Sequence, residues 1–393
     1  MTSRQDLRIT DISTSTHEQF LASQPSASFL QNPRWPQVKT GWRGQSLGWY
    51  RGDELVAASL VLYRGIPAPL LRKKSLAYLA DGPVFSADTV ALGDILEPLV
   101  PYLRSQGAFL IRMGLPFSER SWSAHTVRST LSKGDETLIT ELEAESENDQ
   151  VVEMTRLLDE QGWSRPKITA DFQAGQAQFQ ARIPLPELSE AERNDRESEG
   201  FQKAVEQVLS RMDSTSRRQT RKSTRSELKI TATGAEALDR WQQLFEETAE
   251  RDGFSGRPQE YFERMATALG ESEVSDFKVL LAEYEDQLLA SAIYVQQQDT
   301  GWYVYGASSR EESKRYAPRA LQLEQIKLSL EAGCRWYDLG GISPTLDKEH
   351  PLAGLSRFKT TMGADVHQTM GEWDLPLNKL LANGFNFYMN RRG

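Results

Sequence analysis

A lone cation, Lys359, stands directly behind an aromatic, Phe358, in the segment Gly354-Leu355-Ser356-Arg357-Phe358-Lys359. Shortly before it comes Trp336-Tyr337-Asp338-Leu339-Gly340-Gly341-Ile342, a short apolar strand that runs into a Gly-Gly turn. An irregular loop separates the two. A glycine pair lets the backbone turn sharply or approach a ligand closely. A lysine near such a turn can serve as a fixed positive charge for a developing oxyanion. By itself the pattern also reads as an ordinary turn beside a packed aromatic and a solvated lysine. Asp338 has two readings as well: a general base, or a carboxylate that accepts N–H bonds from the turn. A second cluster, Arg211, Arg217, Arg218, Arg221, Lys222, Arg225 and Lys229, is diluted only by Asp213 and Glu227. It reads either as a local patch for a polyanion or as a solvated helix face.

Other chemistries are disfavoured. The single cysteine, Cys334, excludes an internal disulfide and a multi-cysteine metal site. His17, His125, His350 and His367 form no HxxxH or HxH pair, so metal catalysis is not expected. A formal charge of −9 does not suit a generic nucleic-acid coater. No apolar run approaches the roughly 20 residues of a membrane span, and Met1-Thr2-Ser3-Arg4-Gln5-Asp6 lacks the apolar core of a signal peptide. These features point to a cytoplasmic protein.

At 393 residues the chain exceeds one ordinary core and suggests about two or three domains. Hydropathy patterning gives mixed α/β structure. Ser46–Arg51 and Leu55–Tyr63 read as strands around the turn Gly52-Asp53, followed by Ser75–Leu79 and the turn Asp81-Gly82-Pro83. Val90–Ser105 has helical spacing, with Pro98 and Pro101 predicting a break or kink. Phe109–Met113 is a short buried strand, and Val151–Gln161 a helix. Later come a strand at Phe179–Ile183 and helices at Phe201–Met212, Leu238–Ala249 and Pro258–Leu269. Strands at Phe277–Ala282, Leu288–Val295 and Gly301–Gly306, a helix at Arg319–Glu331 and a strand at Arg335–Leu339 follow. The order in Leu47–Met113 recurs in Phe277–Leu339, about 230 residues on, which suggests a duplication. The order of elements fits two tandem acetyltransferase-like (GNAT-like) domains, 1–165 and 166–393, with a basic helix near 211–229.

Several strings resemble the Fem-type (FemABX) aminoacyltransferases that build peptidoglycan bridges. They are Gln31-Asn32-Pro33-Arg34-Trp35-Pro36-Gln37-Val38-Lys39, Asp81-Gly82-Pro83-Val84, Ser216–Ser223, Arg251-Asp252-Gly253-Phe254 with Tyr261-Phe262, Tyr303–Ser308, and the YDLGGI and Phe-Lys strings. Their order covers roughly Phe29 to Trp373. The resemblance implies two GNAT-like domains side by side and transfer of an amino acid from aminoacyl-tRNA to the stem-peptide amine of UDP-MurNAc-pentapeptide or lipid II. No cofactor beyond the tRNA is implied. Lys359 would supply the oxyanion charge and Phe358 would order the loop. Lys39 and one of Arg217, Arg218 or Arg221 would hold the precursor's pyrophosphate, and Tyr261 would line the substrate channel. Pyrophosphate needs two or more cations, and arginine binds it bidentately. Arg217 and Arg221 share a helix face.

The chain departs from the family in two places. Gly114 stands near the position where members often carry an acidic residue, and Glu190–Met212 allows one modest helix rather than a long coiled-coil arm. It therefore resembles the armless FemX-like branch. Two other functions remain open on sequence. An acyl-CoA-dependent N-acyltransferase would want a glycine-rich pyrophosphate loop, which Tyr316-Ala317-Pro318-Arg319-Ala320 lacks. A non-catalytic precursor- or tRNA-binding protein would not need Lys359. The basic run Leu71-Arg72-Lys73-Lys74 reads as a transient contact with the inner membrane surface or as a solvated loop.

Overall fold

The computed structural model describes residues 6–66, 68, 71–133, 137–169 and 175–390. Met1–Gln5, part of the N-terminal stretch read above, lie outside the described residues. The first half comprises β1 (Arg8–Asp11), α1 (Thr14–Ser23), β2 (Arg43–Arg51), β3 (Glu54–Gly65), β4 (Ser75–Leu79), β5 (Val84–Phe85), α2 (Leu92–Ser105), β6 (Ala108–Trp122), α3 (Ala124–Lys133), β7 (Ser146–Glu147), α4 (Asp149–Glu160) and β8 (Phe179–Pro184). Three helices connect the halves: α5 (Glu190–Arg193), α6 (Glu199–Arg211) and α7 (Ser214–Ser223). The second half comprises β9 (Lys229–Thr233), α8 (Leu238–Asp252), α9 (Gln259–Gly270), β10 (Ser275–Tyr284), β11 (Gln287–Gln297), β12 (Thr300–Ser308), α10 (Ala317–Glu331), β13 (Trp336–Gly341), α11 (Ala353–Thr361), β14 (Asp365–Pro376) and α12 (Lys379–Asn390).

All strands join one sheet, ordered β1-β2-β3-β4-β6-β14-β8-β13-β12-β11-β10-β9, with β5 and β7 off that path. The order is a palindrome about β14/β8. In each half three antiparallel strands lead through a crossover helix to a parallel partner: β4 with β6 by way of α2, and β12 with β13 by way of α10. Each half then lends its last strand to the other. β8 pairs with β13, and β14 pairs with β6. The mixed α/β class and the duplicated strand order expected from the sequence are both present.

Alternating side chains build a core on each face of the sheet. In the second half Leu280, Ala282, Ala290 and Ala292 face α6 and α10. Val279, Leu281, Ile293 and Val295 face α8 and α9, and the same cluster takes in Phe29, Trp35, Val38, Leu60 and Leu62 from the first half. Burying each such large side chain is worth about 1.5–3 kcal/mol, so the halves share a hydrophobic core. Polar ties reinforce it. Asn32 donates to Ser272 and Ser275, each at 2.8 Å, and Gln297 donates to the Ser28 carbonyl at 2.9 Å.

Two expectations need correction. Of the break or kink expected at Pro98 and Pro101, the break is absent: α2 runs through both prolines. Both prolines lie away from the buried stripe Leu92, Ile95, Leu96, Leu99 and Leu103, whose burial holds the helix together despite the lost hydrogen bonds. The strand expected at Phe109–Met113 extends to Trp122, because β14 pairs along it through a bulged register that leaves Pro116 without a partner.

Candidate functional site

The strings that suggested a family resemblance have local structural reasons. Gln31 is fully buried. Its amide donates to the Ala80 carbonyl and its oxygen accepts from the Leu60 N–H at 2.8 Å. Gly82 makes room for it, since a Cβ there would lie 2.4 Å from the Gln31 amide carbon. This contact fixes the Asp81 turn beneath the loop that leads to Lys39.

The second-half centre forms where β12 and β13 part. They pair only over Thr300–Trp302 and Trp336–Asp338. β13 then closes in Gly340-Gly341, and the Gly340 φ of +78° favours glycine. Asp338 is 1 % exposed, and both of its oxygens are engaged. One accepts the Gly340 N–H at 2.6 Å and the other the Arg182 Nε at 2.9 Å. That arrangement matches the structural reading of Asp338, not the general base.

Phe358 and Lys359 lie on α11, not in a loop. Their side chains diverge. Lys359 is 5 % exposed, and its Nζ donates to the Gly341 carbonyl. Burial lowers its pKa to about 8, against the pull of the Asp338 charge. It can therefore switch between ammonium and amine near neutral pH and still aim N–H bonds at a nearby oxygen. Phe358 lies under the Arg319 guanidinium at 5.1 Å. It lines a recess of ≈ 200 Å³ with Ser291, Tyr303, Ser308, Pro318 and Gln322. Phe358 thus shapes a recess rather than ordering a loop.

A second cavity, ≈ 150 Å³, opens between the halves and is lined by Ser28, Asp81, Phe117, Gln180, Arg182, Trp302 and Trp336. Asp81 is held at φ +51°. Burial raises its pKa, opposed by a hydrogen bond from Ser28 and the charge of Arg182. Arg182 therefore faces this cavity and also grips Asp338 beside Lys359. The sequence marked Asp81 as a turn residue and as part of the string Asp81–Val84, not as a site residue. Its place beside Arg182 depends on pairing between β8 and β13, which has no local signal.

Lys39 lies elsewhere on the shared core. Its Nζ is 5.9 Å from the Trp35 ring centroid and 5.9 Å from that of Tyr261 on α9. Arg257 covers the same Tyr261 ring at 5.4 Å. The Lys39 pKa is lowered by burial and then by repulsion from Arg257. Neither cation forms an ion pair among the described residues. Two like charges held over one aromatic ring make a ready anion site. The sequence reading missed Arg257, although its i,i+4 spacing to Tyr261 was a usable signal.

The expected clamp of Lys39 with Arg217, Arg218 or Arg221 does not form. Those arginines are on α7, which packs on α10 and shares the core face with Met212 through Thr220. Lys39 sits on the α8/α9 face, so the sheet lies between them. At the far end of the first half, Arg72, Lys73 and Lys74 line an open recess with Arg43 and Arg104. No helix among the described residues is long and apolar enough to cross a membrane.

Comparison with known proteins agrees with this fold. A solved structure described as FemX superposes with a TM-score of 0.75 at 18 % identity, covering 96 % of this chain and 99 % of that one. The lipid II:glycine glycyltransferase of Staphylococcus haemolyticus is 20 % identical over 94 % of this chain and 93 % of its own length. The UDP-N-acetylmuramoylpentapeptide-lysine N(6)-alanyltransferase of Weissella viridescens is 34 % identical over 37 % of this chain and 41 % of its own. The model of the FemAB family matches residues 12–283 and 269–389, and the chain belongs to that family.

Proposed function

We propose that this chain is an aminoacyltransferase that moves an aminoacyl group from aminoacyl-tRNA to the stem-peptide amine of a peptidoglycan precursor, forming the interpeptide bridge. The names of its relatives support bridge aminoacyl transfer as the reaction class. The observation that carries the catalytic assignment is the buried Lys359, poised at the turn that closes β13. The acceptor amine, as the free base, attacks the ester carbonyl. The carbonyl oxygen becomes an oxyanion, and the Lys359 ammonium donates a hydrogen bond to it. On collapse the ribose oxygen leaves as a hydroxyl with the proton shed by the attacking nitrogen, and an amide remains. The ester is already activated, so positioning and oxyanion stabilisation are the main demands.

Lys39 and Arg257 hold the pyrophosphate of the precursor, UDP-linked or lipid-linked, and Tyr261 forms the floor between them. Asp81, with its raised proton affinity, is placed in the inter-half cavity to take the proton that the acceptor ammonium must lose before attack. Phe358 borders the recess that receives the acyl donor. No metal or organic cofactor enters this scheme. The protein works on the cytoplasmic side, and the exposed Arg72, Lys73 and Lys74 are the surface that meets the anionic inner membrane when the acceptor is lipid-linked.

The test is a transfer assay with UDP-MurNAc-pentapeptide or lipid II and radiolabelled aminoacyl-tRNAs, one amino acid at a time. Label entering the precursor, and lost after RNase treatment of the donor, is the expected result. Transfer from an acyl-CoA but from no charged tRNA would refute the donor.

A further inference from the structure

The outer side of α7 has no part in the site described above. Ser214, Arg217, Arg218, Arg221, Lys222 and Arg225 line an open recess of ≈ 410 Å³ there. A protein of formal net charge −9 gathers five cations on one short helix and the turn after it. Arg221 is partly occupied by an exposed pair with Glu206, a contact of little strength. Glu227, the other nearby carboxylate, is turned to Arg315. Thr215, Gln219 and Thr224 fill the rest of this side, so it offers no apolar anchor for a lipid surface.

The position of the row also matters. Asp213 caps α7, and its N–H donates to the Thr361 carbonyl at the end of α11 at 3.0 Å. Lys222 lies 5.4 Å from the ring of Tyr316, where α10 begins. Arg319, on the first turn of α10, covers Phe358. The basic row therefore borders the helix ends that form the mouth of the Phe358 recess.

We infer that α7 is the docking surface for the phosphate backbone of the RNA that carries the acyl group, set so that the acylated end enters the recess beside Phe358. This inference rests on the reading of an RNA-linked donor. The helix is about 15 Å long, so it meets a stretch of backbone rather than a single phosphate. Arginine contacts of this kind fix orientation and are blind to base sequence. The acceptor's pyrophosphate and the donor's phosphates are thus bound on opposite faces of the second-half sheet, and the two substrates do not compete for one cation set.

The experiment compares wild type with Arg217→Ala/Arg218→Ala/Arg225→Ala. The probe is a fluorescent, unacylated tRNA acceptor-stem minihelix, titrated at several salt concentrations, alongside transfer kinetics with an RNA-linked aminoacyl donor. The triple variant should bind the minihelix at least about ten-fold more weakly, with a salt slope shallower by about one per lost phosphate contact. Its donor KM should rise while acceptor KM and kcat hold. Should the triple variant misfold, Arg218→Glu/Arg225→Glu, at two exposed positions, reads out the same effect. A wild type that uses the RNA donor and a variant with unchanged minihelix affinity and donor KM would remove α7 from docking while leaving the donor reading intact. A wild type that binds no minihelix at low salt and transfers only from an acyl-CoA would remove both. Unchanged RNA affinity with lost binding to phosphatidylglycerol vesicles would overturn the inference in favour of a membrane contact.

Discussion

In the first half, the strand that follows the crossover helix is β6, and it runs for 15 residues without a stop. Its counterpart in the second half, β13, ends after 6 residues at Gly340-Gly341. Both strands start the same way, parallel to a neighbour and covered by a helix. In the first half the exchanged β14 continues the pairing, and Glu372 falls opposite Gly114. Tyr78 donates to Glu372, and Arg112 grips Asp374 through two bonds of 2.7 and 2.8 Å. A carboxylate from the last strand thus lies across the sheet from Gly114. In the second half the pairing stops, the Asp338 carboxylate takes up a turn N–H, and the space admits Lys359. One framework, used twice, carries a continuous ladder in one half and an open strand end beside a buried lysine in the other. A strand end, unlike a continuous ladder, leaves backbone groups without ladder partners.

The comparison is most exposed to failure at Lys359. Lys359→Ala should lower the transfer rate about 10²–10³-fold, as loss of an oxyanion donor does, with the circular dichroism spectrum unchanged. Transfer at the wild-type rate would end the idea that the broken strand is the chemical one. Next in size is the anion site. Lys39→Ala or Arg257→Ala should raise acceptor KM roughly ten- to hundred-fold, since a charge-assisted hydrogen bond is worth about 1.5–3 kcal/mol. In the same assay Arg217→Ala should leave acceptor KM where it was.

The pH profile sharpens the same point. Lys359 stabilises an oxyanion only as the ammonium, and its pKa is lowered to about 8. The ratio of the wild-type rate to that of Lys359→Ala, in which the titration of the acceptor amine cancels, should therefore fall as pH rises above about 8, approaching ten-fold per unit. A ratio that stays flat to pH 9.5 would mean that the charge of Lys359 is not used.

Two glycines test the halves directly. Gly340→Ala meets a positive φ, so it should cost about 1 kcal/mol in urea unfolding and reduce transfer as the turn shifts. A Cβ at Gly114 would meet only ordinary contacts, 3.5 Å from Glu372 Cγ and 3.7 Å from the Asp81 N. Gly114→Ala should change stability by less than about 0.5 kcal/mol and leave the rate alone. Equal effects at both positions would erase the distinction between the two strands.

Local pattern in the sequence was enough for most elements of each half. The near-continuous apolar runs Leu55–Tyr63 and Leu288–Val295, and the helical spacing in Leu238–Ala249, are properties of consecutive residues. So are the glycine pair and the Phe358-Lys359 neighbours, which is why the catalytic candidates were readable before any fold was known. The continuation of β6 was hidden, because Gly114, Pro116 and the charged Glu119 and Arg120 look like loop residues until β14 pairs with them. Arg257 looked like one surface arginine among many until Lys39, more than two hundred residues earlier, came to share its tyrosine. The sequence alone therefore determined the class of fold, its duplication and the Phe358-Lys359 pair that follows the Gly-Gly turn. Only the tertiary structure decided which half keeps an open strand end, which cations share an anion and which stand on opposite faces of the sheet. Those outcomes depend on pairings between distant segments, chosen by the burial of whole faces, and no short window of residues records them.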